Sequence, residues 1–213
     1  MLRILCLHGY TQNASVLRKR TGVLRKDLKS LAELVYVSAP FEVAQAPSFN
    51  PQVFRPPPTE DEKQCTWWRA NSEGTFYEGY EETIEYLKSF WQEHGPFDGI
   101  LGFSQGAALV PLISYELLQA GLAPRFVVIF SGFRSRSTQH QQMLVEHSIS
   151  IPSLHVIGKS DALIVPSRSE ELSRVFHDPK VVFHEGGHFI PTDADQRAIY
   201  KEFIGQFATK SLL

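Results

Sequence analysis

A chain of 213 residues with 43% apolar and 21% charged side chains can bury one sizeable core and has ordinary globular composition, which excludes disordered and fibrous classes. Twenty-one Lys and Arg against 23 Asp and Glu leave a net charge of −2, so no bulk basic field exists to hold nucleic acid or an anionic membrane. Two cysteines, Cys6 and Cys65, are too few for a disulfide framework, and no apolar run reaches the roughly 20 residues that span a bilayer. The expected address is therefore cytoplasmic, with nuclear and organellar locations left open.

The first ten residues have the outline of a signal peptide, but their apolar part is too short and no small-residue cleavage site follows. Leu2–Leu7 reads instead as a strand, followed by a helix over about Ser15–Lys29 and a second strand at Leu34–Ser38. Between Pro40 and Thr75 lie six of the 13 prolines. A connection of that length without clear secondary structure points to an active-site loop or a mobile segment rather than a linker. A helix is predicted over Tyr77–His94, where Tyr80, Ile84, Leu87 and Trp91 share one face and Gly95-Pro96 ends the pattern.

Strand Gly99–Phe103 and helix Gln105–Ala120 follow, then strands Phe126–Phe130 and Ser153–Ile157, helix Ser167–Phe176, strand Val181–His184 and helix Asp195–Thr209. Most of the short runs are solid in Val, Ile, Leu and Phe and do not alternate, as strands covered on both faces do. The alternation of strand and helix predicts an α/β fold with a mainly parallel sheet and right-handed crossovers. Residues 1–213 are expected to form one domain, with a Pro-rich active-site loop at about 40–75.

Gly102-Phe103-Ser104-Gln105-Gly106 fits G-x-S-x-G and stands where that motif acts, after a buried strand and before a helix. Such a turn is tight and strained, so side chains at 102 and 106 would collide. It lifts the Ser104 hydroxyl above the carboxyl edge of the sheet, at the positive end of a helix. A serine nucleophile needs a base, and the base needs an orienting acid. In this architecture the chain order is Ser, acid, His at the ends of later strands. Asp161 follows strand Ser153–Ile157 and His188 follows strand Val181–His184, which makes them the acid and the base.

The oxyanion hole is expected from the backbone N–H of Gln105 and that of Tyr10, in the loop after the first strand. Removing one such donor costs about 100- to 1,000-fold in kcat. His8 comes before the elbow, in the wrong chain order for the base, and reads as shaping that loop. The pH–rate profile should rise as His188 gives up its proton.

Four segments, LHGYTQN (7–13), DGILGFSQGAAL (98–109), SLHVIGKSDALIVP (153–166) and GGHFIP (186–191), resemble in order and spacing the FSH family of serine hydrolases. They are similar to the ovarian-cancer-associated-gene-type esterases within it. The resemblance runs from residue 2 to about 207. It implies an α/β-hydrolase fold with a sheet of about six strands, helices on both faces and no separate lid domain. It also implies Ser104, Asp161 and His188 as the triad, hydrolysis of carboxylic esters or, in some members, thioesters, a small-molecule acyl ester as partner, and no metal or organic cofactor. Trp67, Trp68 and Phe133 then fall near the catalytic edge as candidates for an acyl or aryl pocket, against the plainer reading of core aromatics. Pro111, inside the helix after the elbow, departs from a regular helix. Oligomeric state has no marker in the sequence.

Three competing readings remain. His184-Glu185-Gly186-Gly187-His188 spells H-E-x-x-H, but a zinc site needs that string on a helix, and a β-rich run, two glycines and Pro191 oppose one. Gly158-Lys159-Ser160 resembles the end of a phosphate-binding loop, yet position 153 is Ser where glycine is required. A hydrolase fold can also serve as a non-catalytic binding module, although such a module would usually have lost a triad member.

Overall fold

Six apolar runs assemble into one parallel sheet. The computed structural model describes residues 1–43, 59 and 61–208. In chain order its elements are β1 (Leu2–Leu7), α1 (Ala14–Arg20), α2 (Gly22–Leu28), β2 (Ala32–Val37), β3 (Phe41–Glu42), β4 (Cys65–Thr66), β5 (Arg69–Ala70), β6 (Tyr77–Glu78), α3 (Tyr80–His94), β7 (Gly99–Phe103), α4 (Gln105–Gln119), β8 (Phe126–Phe130), β9 (Ser153–Gly158), α5 (Pro166–Ser173), β10 (Lys180–His184) and α6 (Ala194–Gly205). The large sheet runs β10-β9-β8-β7-β1-β2, with every neighbouring pair parallel.

The unbroken apolar runs have a direct cause. Leu5 and Leu7 of β1, Ile100 of β7 and Val127 and Ile129 of β8 belong to a core shared with α3, α4 and α5. Ile4 and Cys6, Leu101 and Phe103, and Val128 and Phe130 alternate with them into a second core shared with α1, α2 and α6. Side chains point to opposite faces at successive positions, so a strand with apolar cover on both sides is apolar throughout.

The order of building reverses between β1 and β7. The chain first steps from β1 out to β2, then returns past β1 to β7 and continues to β10. In an open parallel sheet a crevice opens at such a reversal, outside the carboxyl ends of the strands. Here those ends are Leu7-His8 and Phe103-Ser104.

Some boundaries differ from the sequence reading. The helix expected over Ser15–Lys29 is broken at Thr21, whose hydroxyl hydrogen-bonds the Leu17 carbonyl and the Tyr36 hydroxyl. The helix expected from Tyr77 starts at Tyr80, because Tyr77 and Glu78 pair with β5 and Gly79 turns the chain at φ 84°. Two short antiparallel pairs, β3-β4 and β5-β6, involve the described parts of the Pro-rich segment, the second completed by Tyr77 and Glu78 just beyond it. Residues 44–58 of that segment, and the expected helical end at Thr209, lie outside the described residues. Helix α4 continues to Gln119 through Pro111, which is buried with most of its neighbours. Among the described residues no helix is long and apolar enough to cross a membrane.

Candidate active site

Ser104 sits between β7 and α4 with φ 55° and ψ −115°. Left-handed backbone at a non-glycine residue costs about 1–3 kcal/mol and persists only where the surroundings impose it. Two hydrogen bonds pin this residue, Ser104 N–H to the Phe130 carbonyl at 3.0 Å and Ala108 N–H to the Ser104 carbonyl at 2.9 Å. The flanking glycines are required by contact. A Cβ on Gly106 would stand 2.3 Å from the Leu7 carbonyl oxygen, and one on Gly102 would stand 2.6 Å from that of Gly106.

His188 reaches this serine from the loop after β10. Its Nε2 lies 2.9 Å from Ser104 Oγ, and its Nδ1 lies 2.7 Å from Asp161 Oδ2. Its ring packs on Phe103, with centroids 4.9 Å apart. The Asp161 side chain is 1% exposed. Its other oxygen, Oδ1, accepts the backbone N–H groups of Ile164 at 2.8 Å and Leu163 at 3.0 Å. Burial alone would raise the Asp161 pKa. The Ile164 N–H, the His188 hydrogen bond and charge, and the Leu163 N–H outweigh it and hold the carboxyl below its ordinary value. The carboxylate thus stays charged and aimed at the imidazole.

A cavity of about 640 Å³ opens over Ser104. Tyr10 and Gln105, the expected oxyanion donors, and Trp68 and Phe133, two of the three pocket candidates, line it together with Thr66, Tyr77 and Ile164. The backbone N–H groups of Tyr10 and Gln105 have no hydrogen-bond partner among the described residues, so both can serve an anionic oxygen. Trp67 departs from the expectation. It is fully buried, its Nε1 donates to the His8 carbonyl at 2.8 Å, and its ring lies 4.9 Å from the His8 ring. It supports the wall from behind, and Trp68 alone of the pair reaches the cavity.

Sequence reasoning missed the side chain of Gln105. Its Oε1 accepts the Thr66 hydroxyl at 3.0 Å and the Trp67 N–H at 3.1 Å, and its Nε2 donates to the Trp68 carbonyl at 3.0 Å. One buried amide therefore ties the elbow to the segment that presents Trp68. A glutamine one residue after Ser104 carried no local signal for this, because its partners lie more than 35 positions earlier.

His8 is held as a neutral imidazole. Ala39 N–H donates to its Nε2 at 2.9 Å, so Nδ1 carries the proton and donates it to the Gly9 carbonyl at 2.8 Å. Burial pushes its pKa down to about 4, against a smaller upward pull from Gly9. It shapes the Tyr10 loop, as its place in the chain suggested.

The other two strings take no part. Residues 185–193 are not helical, and His184 Nδ1 accepts the Gly186 N–H while His188 turns to Ser104, so the pair shares no helix face. Lys159 pairs with Glu185 at 2.6 Å and the Ser160 hydroxyl donates to the Glu185 carbonyl, both at the surface.

Comparison with known proteins shows the family and the fold. Residues 1–200 match the family described as serine hydrolase (FSH1). The chain is 40% identical over 222 residues to an esterase OVCA2 of Danio rerio, covering 97% of each chain. Among solved structures it is similar to Arabidopsis thaliana SOBER1, with a TM-score of 0.64, 16% identity and coverage of 96% of this chain and 98% of that one. It is also similar to Zea mays acyl-protein thioesterase 2, with a TM-score of 0.60, 16% identity and coverage of 96% and 94%. Likeness at that identity speaks to the shared α/β-hydrolase fold. The family match over nearly the whole chain, and a relative sharing two residues in five along it, show that this protein belongs to the FSH1 family of serine hydrolases.

Proposed function

We propose that the protein hydrolyses carboxylic esters of small acyl or alkyl groups through an acyl-enzyme on Ser104. The observation that carries this reading is the unbroken hydrogen-bonded line from Asp161 through His188 to a serine at the floor of a cavity. Ser104 Oγ attacks the acyl carbon while its proton passes to His188 Nε2. The carbonyl oxygen takes the negative charge, and the Tyr10 and Gln105 N–H groups stabilise it. Asp161 fixes the tautomer with Nδ1 protonated and stabilises the imidazolium. Collapse breaks the bond to the leaving oxygen, which takes the proton from His188. Water, deprotonated by His188, then attacks the acyl-enzyme and releases the acid. Every proton returns to its starting place, and the reaction uses no metal or organic cofactor.

Trp68 and Phe133 form the acyl-facing wall in this reading, with the described part of the Pro-rich segment as the active-site loop of a single domain. The likeness to an acyl-protein thioesterase favours a second substrate class, acyl thioesters cleaved by the same residues. Two buried cysteines fit a reducing compartment, and a cytoplasmic location follows from that reading.

The test is fluorophosphonate labelling read by intact mass, beside Ser104→Ala. The expected result is one adduct on the wild type and none on the variant. A folded wild type that stays unlabelled would return the chain to the binding-module reading. Paired oxygen and thiol esters of equal acyl length then separate the two substrate classes.

A further inference from the structure

The cavity over Ser104 carries a charge pattern that ester hydrolysis does not itself require. Three of its wall residues are arginines, Arg69, Arg136 and Arg168, and among the described residues that line it none is acidic. They come from three separate stretches of chain: β5, the segment after β8, and the first turn of α5. Among the described residues, none of the three has a carboxylate within ion-pair distance. Elsewhere the described arginines are mixed, with Arg18, Arg20, Arg25 and Arg174 also lacking a carboxylate and four others paired. Arg3 pairs with Glu33, Arg125 with Asp98, Arg134 with Glu171 and Arg197 with Asp27. What sets Arg69, Arg136 and Arg168 apart is that all three unpaired guanidinium groups line one cavity, the one over Ser104.

Their positions are also supported. The Arg168 guanidinium lies 4.8 Å from the ring centroid of Phe133, itself a wall residue. Arg69 lies 5.2 Å from the ring centroid of Phe41 and donates to the Glu42 carbonyl at 3.3 Å. Arg136 rests against Gly74, where a Cβ would come within 2.7 Å of its Nη2 and where φ is +67°. Stacking and close packing hold such side chains in place while leaving guanidinium N–H groups to donate to an anion. Three like charges around one cavity repel each other, and an anion bound among them relieves that repulsion while accepting charge-assisted hydrogen bonds.

We propose that this cavity selects esters bearing an anionic group, carboxylate or phosphate, on the arm remote from the scissile carbonyl, with Arg69, Arg136 and Arg168 as the residues that set the preference. The proposal rests on the reading of Ser104 as the nucleophile. Trp68, Tyr77 and Ile164 offer an apolar surface for the hydrocarbon that joins the two ends of the substrate.

The test uses the full chain and three matched substrates: p-nitrophenyl hexanoate, p-nitrophenyl hydrogen adipate and the ω-phosphoryloxy hexanoate ester. Each kcat/KM is divided by the rate of the same ester with hydroxide. At low salt the charged esters are expected to exceed the neutral one about tenfold or more, with the excess shrinking as salt screens the arginines. The charged-to-neutral ratio is expected to fall about tenfold in Arg136→Gln and in Arg168→Gln, chiefly through KM. Arg134→Gln removes an equal charge outside the cavity and should keep the wild-type ratio. Preference for only one of the charged esters supports the proposal and identifies the anion. Equal or better turnover of the neutral ester, or an equal fall of the ratio in Arg134→Gln, overturns it. That failure, with Ser104 still labelled by fluorophosphonate, leaves the hydrolase reading standing. Absence of both turnover and labelling removes both.

Discussion

Replacing Asp161 with asparagine isolates the orienting role of the carboxylate from its structural one. In the native site Oδ1 accepts the Leu163 and Ile164 N–H groups and Oδ2 faces His188 Nδ1. Asparagine keeps one carbonyl oxygen, and the two backbone N–H groups retain it on their side. The amide nitrogen must then face His188. An N–H cannot oppose an N–H, so the imidazole shifts its proton to Nε2, 2.9 Å from Ser104 Oγ. The base then arrives already protonated where it should accept. Loss of the correct tautomer lowers kcat by about 10⁴-fold, or about 5.5 kcal/mol of transition-state stabilisation. KM should change little, because Asp161 does not line the cavity. The melting temperature should move by only a few degrees, since no buried N–H group is orphaned. The assay is kcat and KM on a soluble p-nitrophenyl ester, with the fluorophosphonate labelling rate and a thermal melt on the same samples. A folded Asp161→Asn enzyme keeping more than about a tenth of wild-type kcat would refute tautomer control by this residue.

Three further outcomes follow from the same geometry. Gly106→Ala forces a Cβ to within 2.3 and 2.5 Å of two backbone carbonyl oxygens, so urea unfolding should show a loss of about 4 kcal/mol or more, or no folded protein; a variant of wild-type stability would mean the elbow can open. Gln105→Ala leaves the Trp67 N–H without its buried partner, while the Thr66 hydroxyl keeps the Trp68 carbonyl at 2.6 Å, and should lower stability by about 1–3 kcal/mol while raising KM as Trp68 loosens; unchanged KM would show that the amide is not what presents Trp68. His155 is fully buried, and burial pushes its pKa down to about 3. Below the ordinary value of about 6.5 the unfolded chain takes a proton that the folded chain refuses, so its contribution is complete above that pH and is lost as pH falls toward 3. Wild type should therefore lose about 2 kcal/mol more than His155→Gln between pH 6.5 and 5, measured by urea unfolding at the two pH values, and parallel losses would refute the assignment.

Much of the molecule is legible in the sequence because the causes are local. A strand covered on both faces is apolar along its covered length, and Gly99–Phe103, Phe126–Phe130 and, after Arg3, the rest of Leu2–Leu7 declare themselves in that way. The elbow is announced by the glycines around Ser104, the one at 102 excluded from bearing a side chain by its near neighbour Gly106 and the one at 106 by the distant Leu7 and His8 carbonyls. Asp161 and His188 follow from chain order along a parallel sheet, where each strand delivers its next residue to the same edge. Other features were settled where chain segments meet. Trp67 and Trp68 are adjacent and identical in kind. Only the pairing of β4 with β3 and the grip of Gln105 turn one into the core and the other toward the cavity. The break at Thr21 depends on Tyr36, and the late start of α3 depends on Arg69 and Ala70. The convergence of Arg69, Arg136 and Arg168 has no sequence pattern, because loops have no period that fixes side-chain direction. In this protein the sequence determined the scaffold and the placing of Ser104, Asp161 and His188 at one sheet edge through sterics and strand periodicity, while the lining of the cavity was decided by tertiary packing alone.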